Sequence, residues 1–200
     1  MKKKIVVIIL SIALVVVAGA VIFTKFYPMS TSPNYNPATE GQTAAVIDKF
    51  NAVDLNGNKI TNDVFSDYKL TMINVWTTSC SPCLKEMPDL AALNKELEEK
   101  GFNVIGIVDD LIDANTGDVS EPAKELALRI CEQTGAEYTN LIPDATLKKG
   151  ILNGLGGYPS TFFVDKDGKL AGKRYFGAHT KDEWKRIIEE LLTKVEASSK

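Results

Sequence analysis

The alternation of element signals through the middle of this chain constrains its fold more than any other feature. Residues 69–76 (Lys-Leu-Thr-Met-Ile-Asn-Val-Trp) are nearly continuously apolar, the mark of a strand buried on both faces. Residues 79–100 then read as a helix: Leu84, Met87, Leu90, Ala91, Leu93 and Leu97 recur at three- and four-residue spacing. Pro82 suits its first turn, Gly101 ends it, and Pro88 is expected to kink it. Residues 102–108 give a second buried strand, 120–134 a second helix closed by Gly135, and 138–142 a third short strand. Strand, helix, strand, helix, strand implies a parallel sheet covered by helices.

The flanks read differently. Residues 50–54 and 59–60 surround Asn56-Gly57, a strong hairpin signal, with a helical turn expected over 62–65 and a short helix over 146–153. Residues 161–164 and 169–176 flank Asp165-Lys166-Asp167-Gly168 as an antiparallel pair. A last helix opens with the capping box Thr180-Lys181-Asp182-Glu183 and carries Trp184, Ile187, Ile188, Leu191 and Leu192 on one face. The class is therefore α/β with a mixed central sheet.

Composition restricts function. With 44% hydrophobic and 24% charged residues the chain is an ordinary folding sequence, and three cysteines are too few for a disulfide scaffold. The formal charge is -3, yet Lys2, Lys3, Lys4 and Lys25 fall in the first 27 residues with no acid, so the remainder carries -7. That balance excludes a nucleic-acid partner, which needs a basic face. After the three lysines, residues 5–23 are unbroken apolar apart from Ser11, long enough to span a hydrocarbon core of ~30 Å. Residues 1–27 are thus expected to be a signal-anchor transmembrane helix with the rest of the chain on the outer face. Ala18-Gly19-Ala20 is the alternative, a cleavage site that would release a secreted form. Residues 28–45, rich in Pro, Ser, Thr and Asn, read as a linker, and residues 46–198 as one domain.

Cys80-Ser81-Pro82-Cys83 follows the first buried strand and opens a helix. A cysteine at a helix N-terminus meets unpaired N–H groups and the positive end of the dipole, which favour thiolate over thiol. Cys80 is expected to be the attacking nucleophile and Cys83, one turn deeper, the resolving thiol. The competing reading is a zinc site from Cys80, Cys83, Cys131 and His179, but Cys131 and His179 are 48 residues apart and form no close ligand pair. No metal and no cofactor is expected.

From Trp76 to Pro88 the chain reads W-T-T-S-C-S-P-C-L-K-E-M-P, and from Tyr158 to Asp165 it reads Y-P-S-T-F-F-V-D. The first resembles the W-x-x-x-C-x-x-C-x-x-E-x-P signature of the extracytoplasmic TlpA/ResA-like thioredoxin family, and the second that family's cis-proline strand. The resemblance implies a thioredoxin fold with an N-terminal β-hairpin extension and a central insertion, acting in thiol–disulfide exchange. It implies that Glu86 accepts the proton Cys83 must lose, Asn74 standing where cytoplasmic thioredoxins carry a buried acid. It also implies a cis Tyr158-Pro159 bond beside Cys80, with the backbone at Tyr158 open to strand addition by a substrate and Trp76 shaping the neighbouring surface. The expected substrates are disulfide-bearing exported proteins, and the expected reductant is a membrane-embedded thiol–disulfide transporter.

Two other functions compete. A peroxiredoxin-type thiol peroxidase is suggested by Thr77 three residues before Cys80, although Ile73 stands where its proline is expected. A non-catalytic thioredoxin-like binding domain leaves the cysteine pair unexplained. Of the remaining residues, Cys131 reads as a small buried hydrophobe, and the acidic stretch 109–121 as a solvated inserted loop lacking cation-site spacing.

Overall fold

The computed structural model describes residues 46–113 and 116–198. The expected transmembrane helix at 1–27 and the linker at 28–45 lie outside the described residues. No described helix is long and apolar enough to cross a membrane.

The strands are β1 (Asn51–Asp54), β2 (Lys59–Thr61), β3 (Leu70–Trp76), β4 (Phe102–Val108), β5 (Asn140–Ile142), β6 (Ser160–Asp165) and β7 (Tyr175–Phe176). Four helices accompany them among the described residues: α1 (Ser81–Leu97), α2 (Glu121–Thr134), α3 (Ala145–Lys149) and α4 (Lys181–Ser198). The described strands form one sheet in the order β2-β1-β5-β4-β3-β6-β7. Strands β3, β4 and β5 run parallel, as the crossover helices require, and β6 pairs antiparallel with β3. All seven residues of β3 are buried, which explains their continuous apolar run.

Side-chain alternation along β3 and β4 divides the core between the sheet's two faces. Leu70, Met72, Trp76, Phe102, Val104 and Val108 meet α1, α2 and α4, whereas Ile73, Val75, Ile105 and Ile107 meet the N-terminal segment and α3. The hairpin turn forms as its sequence predicts. The Asp54 carboxylate accepts from the Asn56 and Asn58 amides at 2.9 and 2.8 Å, and Gly57 takes a φ of 87°.

Several boundaries differ from the sequence expectation. Helix α1 begins at Ser81, two residues later than expected, because Cys80 is its N-cap rather than a helical residue. The helix continues without interruption past Pro88, an exposed residue. β5 starts at Asn140, not 138, since the Asn140 side chain donates to the Ala136 and Tyr138 carbonyls and draws the approaching chain out of the ladder. The strand expected over 169–176 is reduced to isolated bridges at Lys169 (to Val46) and Leu170 (to Val164) and the two residues of β7, interrupted where Gly172 takes a φ of 82°.

Candidate active site

β3 delivers the chain to the sheet edge at Trp76, and a short turn follows in which the Cys80 amide donates to the Thr77 carbonyl at 3.1 Å. Cys80 adopts an extended conformation as the N-cap of α1, and its Sγ accepts from the Cys83 amide at 3.2 Å. This is an ordinary cap with sulfur in place of oxygen, so the orphan N–H of the first turn points at the atom that must carry negative charge as a thiolate. Cys80 and Cys83 form a disulfide with a Cα–Cα distance of 5.3 Å. Cys80 is half-buried and Cys83 is 0% exposed, so an external partner reaches only the first sulfur.

Glu86 lies one turn beyond Cys83 on the same side of α1 and is 3% exposed. Its Oε1 accepts from Asn74 Nδ2 at 2.9 Å, and its Oε2 accepts from the His179 amide and from Trp184 Nε1, both at 3.2 Å. Burial pushes the Glu86 carboxyl above its ordinary range, and the hydrogen bonds from Trp184, Asn74 and His179 only partly oppose this. The solvated surface glutamate that a random helix position would give is thus not found. Asn74 is the link between strand and helix, for the same amide also donates to Thr161 Oγ1 at 3.2 Å.

The Tyr158-Pro159 bond is cis. The register Val75↔Ser160 sets Pro159 opposite the end of β3, at the sheet edge from which the Cys80 turn departs. Gly177 N donates to Pro159 O at 2.9 Å, fixing one side of this segment. Phe176, 59% exposed, lies against Gly157, where an added Cβ would meet its ring at 3.0 Å. Nothing in the sequence pattern distinguished this exposed ring from a strand-end aromatic.

Two expectations need correction. Trp76 does not shape a surface beside Cys80. It is 0% exposed, and its Nε1 donates to Asn140 Oδ1 at 3.0 Å, a bond that passes over Gly106, where a Cβ would lie 2.0 Å from that oxygen. Asp109, at the start of the acidic stretch, is not solvated either, although Asp110, Asp113 and residues 116–118 are exposed. The Asp109 side chain is 10% exposed and pairs with Lys148 Nζ and the Tyr158 hydroxyl, while Asp110 Oδ2 accepts from Thr78 N at 2.9 Å and Thr78 Oγ1 at 2.7 Å. Their signal was hidden because the partners lie 32 to 49 residues away in sequence.

Cys131 is partly buried on α2 and lines a cavity of about 330 Å³ with Leu55, Leu128 and Tyr138. Burial pushes its thiol up to about 11, away from the reactive thiolate. Among the described residues no three His, Cys, Asp or Glu side chains are grouped to hold a metal.

An accessible sulfur at a helix cap, bridged to a buried one on an α/β sheet of this topology, defines a thiol–disulfide oxidoreductase with a thioredoxin-like fold. The family model described as the AhpC/TSA family matches residues 43–173, and the chain belongs to that family. It is similar to the thiol-disulfide oxidoreductase ResA of Bacillus thuringiensis (strain Al Hakam), 27% identical over 180 residues, covering 90% of this chain and 93% of the relative. The thiol:disulfide interchange protein HelX of Rhodobacter capsulatus is 28% identical, with 90% and 92% covered. Among solved structures, a thiol:disulfide interchange protein from Chlorobium tepidum TLS superposes with a TM-score of 0.61 at 22% identity, covering 76% of this chain and 98% of the other, a likeness of fold. The chain is accordingly a thiol–disulfide oxidoreductase of the ResA/HelX type with Cys80 and Cys83 as its pair.

Proposed function

We propose that this protein is a membrane-anchored reductase whose catalytic domain stands on the extracytoplasmic side and opens disulfides in exported proteins. The observation that carries the reading is the asymmetry of the pair, a half-exposed Cys80 capped by a backbone amide and a buried Cys83 one turn from a buried carboxylate. The Cys80 thiolate attacks a substrate disulfide, forming a mixed disulfide and displacing one substrate thiolate, which takes a proton from water. Cys83 gives its proton to the Glu86 carboxylate and attacks Cys80 Sγ. The second substrate sulfur leaves, and the protein keeps the Cys80–Cys83 disulfide. A buried carboxylate with a raised affinity for protons is the better base for this step. The cis Tyr158-Pro159 segment offers backbone for an extended substrate, and a membrane-embedded thiol–disulfide transporter returns the two electrons.

The apolar run of residues 5–23 supports the anchor. The equilibrium potential against glutathione tests the direction of transfer. A value near thioredoxin's, about -270 mV, is expected for a reductase, and one near about -120 mV would make the protein an oxidant. The peroxidase reading rests on Thr77 alone; peroxide consumption that outpaces disulfide reduction would establish it.

A further inference from the structure

Strand β3 lies between β4 and β6, so any contact from the end of β4 to the start of β6 must cross the segment that leads from β3 into Cys80. Such a contact exists. The Asp109 amide donates to the Trp76 carbonyl at 2.9 Å, extending the β3–β4 pairing by one residue past Trp76↔Val108. From there the Asp109 carboxylate reaches across to accept from the Tyr158 hydroxyl on the residue just before Pro159. Its other oxygen takes Lys148 Nζ from α3, and Lys148 also donates to the Asp109 carbonyl at 2.9 Å. The next residue, Asp110, holds the crossed segment itself through both the amide and the hydroxyl of Thr78, two residues before Cys80.

We propose that Asp109 and Asp110 act as a two-armed clamp that positions the substrate-recognition backbone at Tyr158-Pro159 relative to the Cys80 turn. Asp109 holds the recognition segment, Asp110 holds the nucleophile's loop, and the peptide bond between them fixes the spacing. The proposal deepens the reductase reading and rests on its use of strand addition at Tyr158. An extended substrate pairs with that backbone only when the segment is already in place, and preorganising it removes an ordering cost from binding. The Asp109 carboxylate suits this task. It is nearly enclosed and takes a cation and a hydroxyl together, so its bonds are charge-assisted. Neither aspartate touches the sulfurs in this arrangement, which makes both positioning residues rather than catalytic ones.

The test uses the full chain, fully reduced, mixed with excess of a probe made of two ten-residue peptides joined by one disulfide. Oxidation of the protein is followed as a function of probe concentration. Tyr158→Phe removes one hydroxyl and is expected to raise the half-saturation concentration by about fivefold or more, as loss of a hydrogen bond to a charged group does, with the limiting rate within about twofold. Lys148→Met leaves Tyr158 intact and is expected to move the same parameter in the same direction. Because both act through one carboxylate, the double variant should fall short of the product of the two effects. A small aromatic disulfide, which has no backbone to pair, should show no such shift. Unchanged half-saturation, equal damage on both probes, or fully multiplicative effects would each overturn the clamp.

A second measurement reads the clamp apart from turnover. The Gly177 amide, bonded to the Pro159 carbonyl, should exchange with solvent about fivefold faster or more in Tyr158→Phe, while the Trp184 amide, bonded to Thr180, should not change. An unchanged Gly177 rate defeats the clamp even if the wild type reduces both probes. A wild type that reduces neither defeats the reductase reading while the exchange rates still decide the clamp.

Discussion

Burial holds the Glu86 carboxyl above its ordinary range, and the consequence for stability has a definite sign. Between the unfolded and folded values the folded protein keeps a proton that the unfolded chain has released, so stability is fully present below the unfolded carboxylate value and is lost as pH rises through the folded one. Glu86→Gln has no such dependence. Denaturation of the oxidised proteins between about pH 4 and 8 should show the wild type losing stability relative to Glu86→Gln as pH rises, whereas parallel curves would mean that the carboxyl ionises normally. The same substitution removes the proposed base, so resolution by Cys83 should slow by ~10²- to 10⁴-fold and a mixed disulfide should accumulate on non-reducing gels. An unaltered resolution rate would leave Cys83 to be deprotonated by water. In the reduced protein Cys80 should be alkylated by iodoacetamide well before Cys131, whose thiol burial pushes up to about 11, and before the fully buried Cys83. Faster labelling of Cys131 would contradict these surroundings.

Helix α1 connects the site to the core, since Cys83, Glu86, Met87, Leu90, Leu93 and Leu97 all lie on its buried side. That stripe was plain from the spacing of its apolar residues, but Glu86 within it was not, because a charged residue inside a hydrophobic stripe is buried only if partners from other elements meet it. Here β3 supplies Asn74 and α4 supplies Trp184. Leu93 is 0% exposed among these residues, and Leu93→Ala should cost about 2–5 kcal/mol in equilibrium unfolding, the range for a cavity left in a packed core. A loss below about 0.5 kcal/mol would place Leu93 at a surface instead. The edge of the sheet was less legible. A run that looked like a strand over 169–176 pairs only at its ends, because Gly172 turns the chain left-handed midway.

For the molecule as a whole, the apolar run at residues 5–23 predicts that the full chain stays with membranes after carbonate extraction and begins at or next to Met1. A soluble form beginning at Val21 would show cleavage after Ala18-Gly19-Ala20. Pro159 was singled out only by the family resemblance, whereas the α/β class, the order of the central elements, the hairpin turn and the cysteine pair were determined by the sequence itself. Each of these is written in local terms: periodicity, a cap position, a three-residue spacing, a turn dipeptide. What the tertiary structure alone decided was the environment of those residues. Trp76 turned inward because Gly106 leaves room for its bond to Asn140, and Asp109 and Asp110, in the turn after β4, gained partners because β4 ends beside β3 with Thr78, Lys148 and Tyr158 within reach. Burial and hydrogen bonding depend on which residues distant in the chain arrive at the same place. A one-dimensional pattern records the propensity of each segment but not the partner that satisfies it.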